Sequence, residues 1–226
     1  QKTQPKTPFG GWYPLNKRCL HIVTLFFVSS CMKHLWFILL VFIGCATTKT
    51  FEPNEISVSP RIGFLKDVTV DLGIFDGRID KEYSNELVNQ ITNQLNRTYP
   101  SIKFNILKVD EFYKDPISDG ITIKISIMTY DAGFGADIKV MTVGTFGGDF
   151  GYGVFPDGKW NGVTGFSINI YDNRNPNDAK KFSKNIGKAV SLPNLYGYKT
   201  ARKALDDSYK ESMQGLLFYI DNSLMK

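Results

Sequence analysis

The chain has 226 residues, 42% hydrophobic, 22% charged and 14% aromatic, which excludes disordered and low-complexity classes and allows one domain or a tight pair with a buried core. Its formal net charge of +5 is unevenly placed. Residues 1–44 hold five cations and no acid, and 22 cations face 22 anions from residue 45 onward, so a bulk electrostatic case for nucleic acid falls once that leader is set aside.

Residues 1–31 carry Pro and Gly without periodicity, and one short apolar run, Ile22–Val28. Met32 then opens a segment complete in itself: Lys33 is basic, Leu35–Ile43 is nine consecutive apolar residues, and Gly44-Cys45 follow. Nine helical residues span about 13 Å, too short for a bilayer core of about 30 Å but suited to a secretory signal. The series Phe42-Ile43-Gly44-Cys45 resembles the lipobox of bacterial lipoproteins, with Gly44 and Cys45 at its most constrained positions and Phe42 in place of a branched aliphatic residue. The plain alternative is a buried strand with an incidental Gly-Cys.

The expected organisation is residues 1–31 as upstream translation or an extended n-region, 32–44 as lipoprotein signal peptide, 45–60 as lipid anchor and tether, and 61–226 as a single domain. A signal anchor over Leu20–Ile43 is the other reading of the leader. The lipobox resemblance implies that Cys45 takes a diacylglyceryl thioether and an amide-linked acyl chain such as palmitate. It also implies, through Ala46 at the next position, an outer-membrane protein facing the periplasm. Several acyl chains hold a protein on a membrane essentially irreversibly. Cutting before Cys45 also removes His21, His34, Cys19 and Cys31, which are both histidines and two of the three cysteines. An intramolecular disulfide, a His- or Cys-ligated zinc site, a Ser-His-Asp triad and a Cys-His dyad are then excluded.

Along the mature chain, Ala46–Pro60 has no apolar period and reads as a spacer. Val68, Val70, Leu72 and Ile74 alternate within Ile62–Phe75, a half-buried strand. Leu87, Val88, Ile91 and Leu95 predict a helix from Asp80 to Tyr99, stopped by Pro100. Lys103–Val109 reads as a short strand. Ile121, Ile123, Ile125 and Ile127 form a clear alternation, with Ile138–Val143 expected as the hairpin partner. Val163–Tyr171, with Phe166, Ile168 and Ile170 on one face, is a fifth strand. After a turn-rich stretch at 172–178, Ala201, Leu205, Tyr209, Met213, Leu216, Ile220 and Leu224 mark a long amphipathic helix. This order predicts an α+β fold: a mixed, mainly antiparallel sheet with two helices, the C-terminal one long, on one face.

Half of the 20 glycines lie in a segment at 131–165, read as a Gly/aromatic hairpin insertion. Gly153–Trp160 has the glycine and lysine spacing of a phosphate loop, but Trp160 replaces the hydroxyl that binds magnesium, and strand residues follow where a helix must start. No cofactor and no metal are expected. Phe146, Phe150, Tyr152, Phe155 and Trp160 are the candidate partner-binding residues, because aromatic rings on a glycine-rich segment give contact area at low side-chain entropy. The plain alternative is that these rings cover one sheet edge and bind nothing. Asp110/Glu111 and Asp206/Asp207 are adjacent pairs that point to different sides, and Asp149 is the acid in the glycine segment to test. No catalytic residue is assigned.

With the lipobox, the element order and the long last helix, the chain resembles envelope lipoproteins of the penicillin-binding-protein activator, curli-secretion and ABC-transport auxiliary kinds over Arg61–Met225, with Ile170-Tyr171-Asp172 and Thr200-Ala201-Arg202 at matching places. That implies a non-enzymatic, lipid-anchored assembly or transport-auxiliary module. Its expected partners are the membrane, through Cys45, and another envelope protein, with no nucleic acid. The alternatives are a carboxylate-dependent envelope glycan hydrolase and a pore-forming secretion subunit.

Overall fold

The computed structural model describes residues 47–65, 68–116, 119–135, 139–140, 150–151 and 158–225. Residues 1–31, the expected signal peptide at 32–44, and Cys45 lie outside the described residues. The chain divides into Gln1–Ile43 and Gly44–Lys226, and the described residues all belong to the second unit.

Among the described residues, eight strands and three α-helices follow in the order β1 (Thr47–Lys49), β2 (Val68–Asp76), α1 (Ser84–Thr98), β3 (Ile102–Ile106), α2 (Val109–Phe112), β4 (Ile121–Phe134), β5 (Lys139–Val140), β6 (Phe150–Gly151), β7 (Lys159–Asp172), β8 (Lys180–Pro193) and α3 (Tyr198–Leu224). The main sheet runs β3-β2-β4-β7-β8, with β1 paired to the far half of β4. β2 is parallel to both β3 and β4, and the other pairings are antiparallel. The sheet is mixed, as expected, and the fold is α+β.

The alternating isoleucines do what their period requires. Ile121, Ile123, Ile125 and Ile127 are at most 1% exposed and share a core with Val70, Leu72, Phe166, Ile168 and Ile170. Leu87, Ile91 and Leu95 of α1 and the whole predicted stripe of α3, Ala201 to Leu224, complete it. A β-bulge at Met128 shifts the β4–β7 register between Ile127 and Thr129, so that Tyr130 and Ala132 continue into the core. Beyond it, Thr164 and Ser208 hydrogen-bond at 2.9 Å, and Ser212 donates to the Thr164 carbonyl at 3.0 Å, tying α3 to β7.

Four expectations differ from the structure. The partner of the isoleucine strand is Lys159–Asp172, not Ile138–Val143; within the latter, Lys139–Val140 pairs with Phe150–Gly151 in a separate two-stranded sheet. Lys180–Pro193, read as no element, is a fourteen-residue edge strand whose single fully covered apolar side chain is Ile186. Its Lys180, Lys181, Lys184 and Lys188 hide the pattern; such charges keep an open edge from pairing with other chains. The short helix α2 was also unforeseen, and its Phe112 ring packs on Phe75 at 5.5 Å across the sheet from the other helices.

The fourth difference is the expected spacer. Thr47–Lys49 is sheet, and Asn54 accepts from Gln90 at 3.3 Å and Arg202 at 2.9 Å while donating to Asp206 at 2.7 Å. Glu55 pairs with Arg97 and Ile56 enters the core. Arg61 pairs with Asp221 and donates to the Tyr99 hydroxyl at 2.8 Å, and that hydroxyl donates to Asp221 at 2.9 Å. From Thr47 onward the segment is strapped across α1 and α3 and leaves no free tether there.

Candidate functional site

The Gly/aromatic segment leaves and rejoins the sheet at one end, where β4 stops at Phe134 and β7 starts at Lys159. The registers align Thr47, Phe134, Trp160 and Leu192 in one row across four strands. Trp160 is 4% exposed, with its ring 5.1 Å from Phe134 and 5.8 Å from Tyr198. Its indole N–H donates to Asn194 Oδ1 at 3.2 Å. Gly135 donates to the Lys159 carbonyl at 3.2 Å, Asn161 Nδ2 to the Gly135 carbonyl at 3.0 Å, and Asn194 N–H to the Gly158 carbonyl at 2.7 Å. The mouth of the segment is therefore clasped, and Trp160 belongs to the clasp.

Of the other candidates, Phe146, Tyr152 and Phe155 lie outside the described residues, as does Asp149, and Phe150 is described as backbone in β6. The exposed apolar surface at this end comes from residues that sequence reasoning passed over: Leu195, Tyr196 and Tyr198, 73%, 75% and 57% exposed. Lys49 Nζ lies 5.6 Å from the centre of the Tyr198 ring, within cation–π range.

Two other polar groupings lie elsewhere. At the C-terminal end of β2, Arg78 Nε donates to Asp76 Oδ1 at 2.9 Å and Nη2 to Oδ2 at 2.7 Å, both side chains being buried. Arg78 also donates to the carbonyls of Tyr130 at 3.2 Å and Glu82 at 3.0 Å. Burial works against the Asp76 charge, but the hydrogen bonds from Arg78 and Ser84 outweigh it and hold the carboxyl below its usual range. Nearby Asp131 is pushed up to about 6, mainly by burial, with Asp80 adding and Arg78 opposing. Asp76 and Asp131 thus differ in protonation behaviour, but the Asp76 charge is spent on Arg78, which closes the strand end.

On the other face of the sheet a groove of about 250 Å³ is lined by Asp71, Leu107, Glu111, Lys114, Asp115 and Lys124, among others. Lys124 is 5% exposed, donates to the Lys114 carbonyl, and sits 6.0 Å and 5.7 Å from the ring centres of Phe112 and Tyr171. Burial, helped by Lys181 and opposed by Asp115, draws its pKa below the ordinary lysine value. The adjacent acid pairs are engaged in structure: Glu111 accepts the Lys108 N–H at 2.9 Å, Asp110 meets Lys114 at 4.0 Å, Asp206 accepts from Asn54, and Asp207 meets Lys203 at 2.9 Å. Among the described residues no three His, Cys, Asp or Glu side chains come together to hold a metal ion, and no helix is long and apolar enough to cross a membrane.

No family model matches the sequence and no curated protein matches it. Solved structures with a similar chain course include the hypothetical protein CT253 of Chlamydia trachomatis, at 11% identity and a TM-score of 0.41, covering 69% of this chain and 96% of that one. Protein XCC0632 of Xanthomonas campestris, described with DUF330, is similar at 7% identity and 0.44, covering 76% and 93%. Rare lipoprotein B of Shewanella oneidensis is similar at 10% and 0.34, covering 68% and 95%. A lipoprotein thus stands among the structural neighbours, but at such scores any functional reading rests on this chain's own residues.

Proposed function

We propose that the protein is a lipid-anchored, non-catalytic envelope lipoprotein that faces the periplasm and serves as a binding, assembly or transport-auxiliary module. The observation that carries this reading is Gly44-Cys45 directly after the nine-residue apolar run Leu35–Ile43. Neither histidine nor a second cysteine follows a cut before Cys45, which supports a module without His- or Cys-based nucleophilic or zinc chemistry. Ala46 supports export to the outer membrane, and Phe146, Phe150, Tyr152 and Phe155 are the proposed grip for another envelope protein, Trp160 being buried in the clasp.

The test is Cys45→Ser in cells fed an alkyne fatty acid. The native chain takes up label and the variant takes up none, because the thiol is the acylated atom. Undiminished label in the variant overturns the reading.

A further inference from the structure

Exposed rings and lysines gather at the Trp160 end of the sheet. We propose that this end, built from Leu195, Tyr196, Tyr198, Lys49, Lys159 and Lys199, lies flat on the anionic surface of the bilayer that holds the anchor. The inference rests on the lipoprotein reading and deepens it by naming the surface that the domain presents to the membrane.

Chain length supplies the first argument. Thr47 pairs with Phe134 in the row that contains Trp160 and Leu192. Cys45 is two residues before Thr47, and an extended residue covers at most about 3.5 Å, so roughly 7 Å of backbone separates the acylated position from this row. A free spacer of fifteen residues allows a domain any orientation; one strapped down from Thr47 does not.

Composition supplies the second. Of the eleven large hydrophobic residues exposed among the described residues, three fall within Leu195–Tyr198. Lys49, Lys159 and Lys199 are exposed around them. Residues 190–200 hold no Asp or Glu, while Glu52 and Asp157 border the stretches of Lys49 and Lys159. Aromatic rings with lysines beside them suit the headgroup layer, where tyrosine has an apolar body and a wet hydroxyl and lysine meets anionic lipid.

The third argument is that the loop is held in shape. Leu195 N–H donates to the Pro193 carbonyl at 2.8 Å and Tyr196 N–H to Thr200 Oγ1 at 3.1 Å. Gly197 takes φ +57°, a left-handed turn that glycine adopts without strain, and Tyr198 opens α3 with its ring against Trp160. Little ordering entropy is then lost when the surface docks. With the anchor so near, the bilayer is also present at high effective concentration, which favours it over a freely diffusing protein.

The test uses the full chain processed by its host, purified in acylated form and placed in vesicles of phosphatidylethanolamine and phosphatidylglycerol. An environment-sensitive dye is attached at Tyr196→Cys and, in a second sample, at Lys181→Cys, which pairs with Tyr171 toward the opposite end of the sheet. Quenching by spin-labelled lipid is expected to be several-fold stronger at 196 than at 181. Replacing Lys49, Lys159 and Lys199 by glutamine is expected to lower the docked-to-undocked ratio by about fivefold per lysine. If Cys45 carries acyl label and the two sites quench equally, the anchor stands and the docking proposal is overturned. A blue shift at 196 without lipid quenching means that protein covers the surface, and also overturns it. If Cys45 carries no label, the lipoprotein reading fails and the docking proposal falls with it.

Discussion

Gly162→Ala is the most exacting test of how the long helix sits on the sheet. Gly162 lies in β7 between Ala132 and Val190. A Cβ there meets the Ala204 carbonyl carbon at 2.2 Å, its oxygen at 2.3 Å and the Leu205 nitrogen at 2.3 Å. All three are backbone atoms of α3, so no rotamer change relieves them. Non-bonded carbon contacts settle near 3.5–4.0 Å, which requires the helix to back away by roughly 1 Å or more. That retreat loosens Ala201, Leu205 and Tyr209 and strains the buried Thr164–Ser208 and Ser212–Thr164 hydrogen bonds. Overpacking costs about 1–3 kcal/mol and one orphaned buried group about 1–3 more, giving roughly 2–6 kcal/mol in all. Against a domain stability of about 5–15 kcal/mol, this lowers Tm by about 10–20 °C. Gly215→Ala is the control: its Cβ meets only Ile186 Cγ2, at 3.0 Å, and a gain in helix propensity of about 1 kcal/mol offsets the squeeze. Far-UV circular dichroism melts of the two variants decide. A Gly162→Ala protein melting within a few degrees of the native chain refutes the seat described for α3, and so does an equal loss at Gly215.

Asp131 predicts a pH effect. Its folded pKa of about 6 is raised above its ordinary value of 3.8, so the folded state holds the proton more tightly and the associated stability, present below about pH 4, is lost as pH rises through 6. Asp131→Asn removes that slope and stabilises the domain at pH 7 by up to about 2–3 kcal/mol; parallel urea-unfolding series across pH for the two proteins sink the assignment. For the aromatic segment, replacing Phe146, Phe150, Tyr152 and Phe155 by alanine while keeping the buried Trp160 leaves Tm nearly unchanged and abolishes recovery of the native partner after crosslinking in the envelope. Recovery of every native partner by a folded variant places binding elsewhere.

The elements legible in the sequence were those whose period reports burial on one side. The α3 stripe repeats over six turns because one helix face meets the sheet, and the Ile121–Ile127 alternation survives because one sheet face meets the helices. Pairing leaves no such mark. Glycine richness from Asp131 onward suggested a loop, yet β4 continues through Gly133 and β7 contains Gly162 and Gly165. Gly162 is where a helix backbone touches the strand, so a residue that weakens strand propensity is the one that packing demands. β8 was hidden for the opposite reason: an edge strand is written in the residues that stop further pairing.

The candidate site divides along the same line. Trp160 is conspicuous in sequence because it is the single tryptophan after Cys45, but only the β4–β7 register brings it to Phe134 and into the core. Asp76-Gly77 reads correctly as the end of a strand, while the pairing of Asp76 with Arg78 and the burial of Asp131 depend on neighbours far along the chain. Leu195, Tyr196 and Tyr198 look in sequence like any aromatic turn. What distinguishes them is a three-residue strand 150 residues earlier, which returns the chain from Cys45 to the far half of β4. A local pattern therefore carries the proposed anchor and a local pattern supplies the exposed rings, but the proposal that both face one membrane comes from the non-local pairing of Thr47 with Phe134.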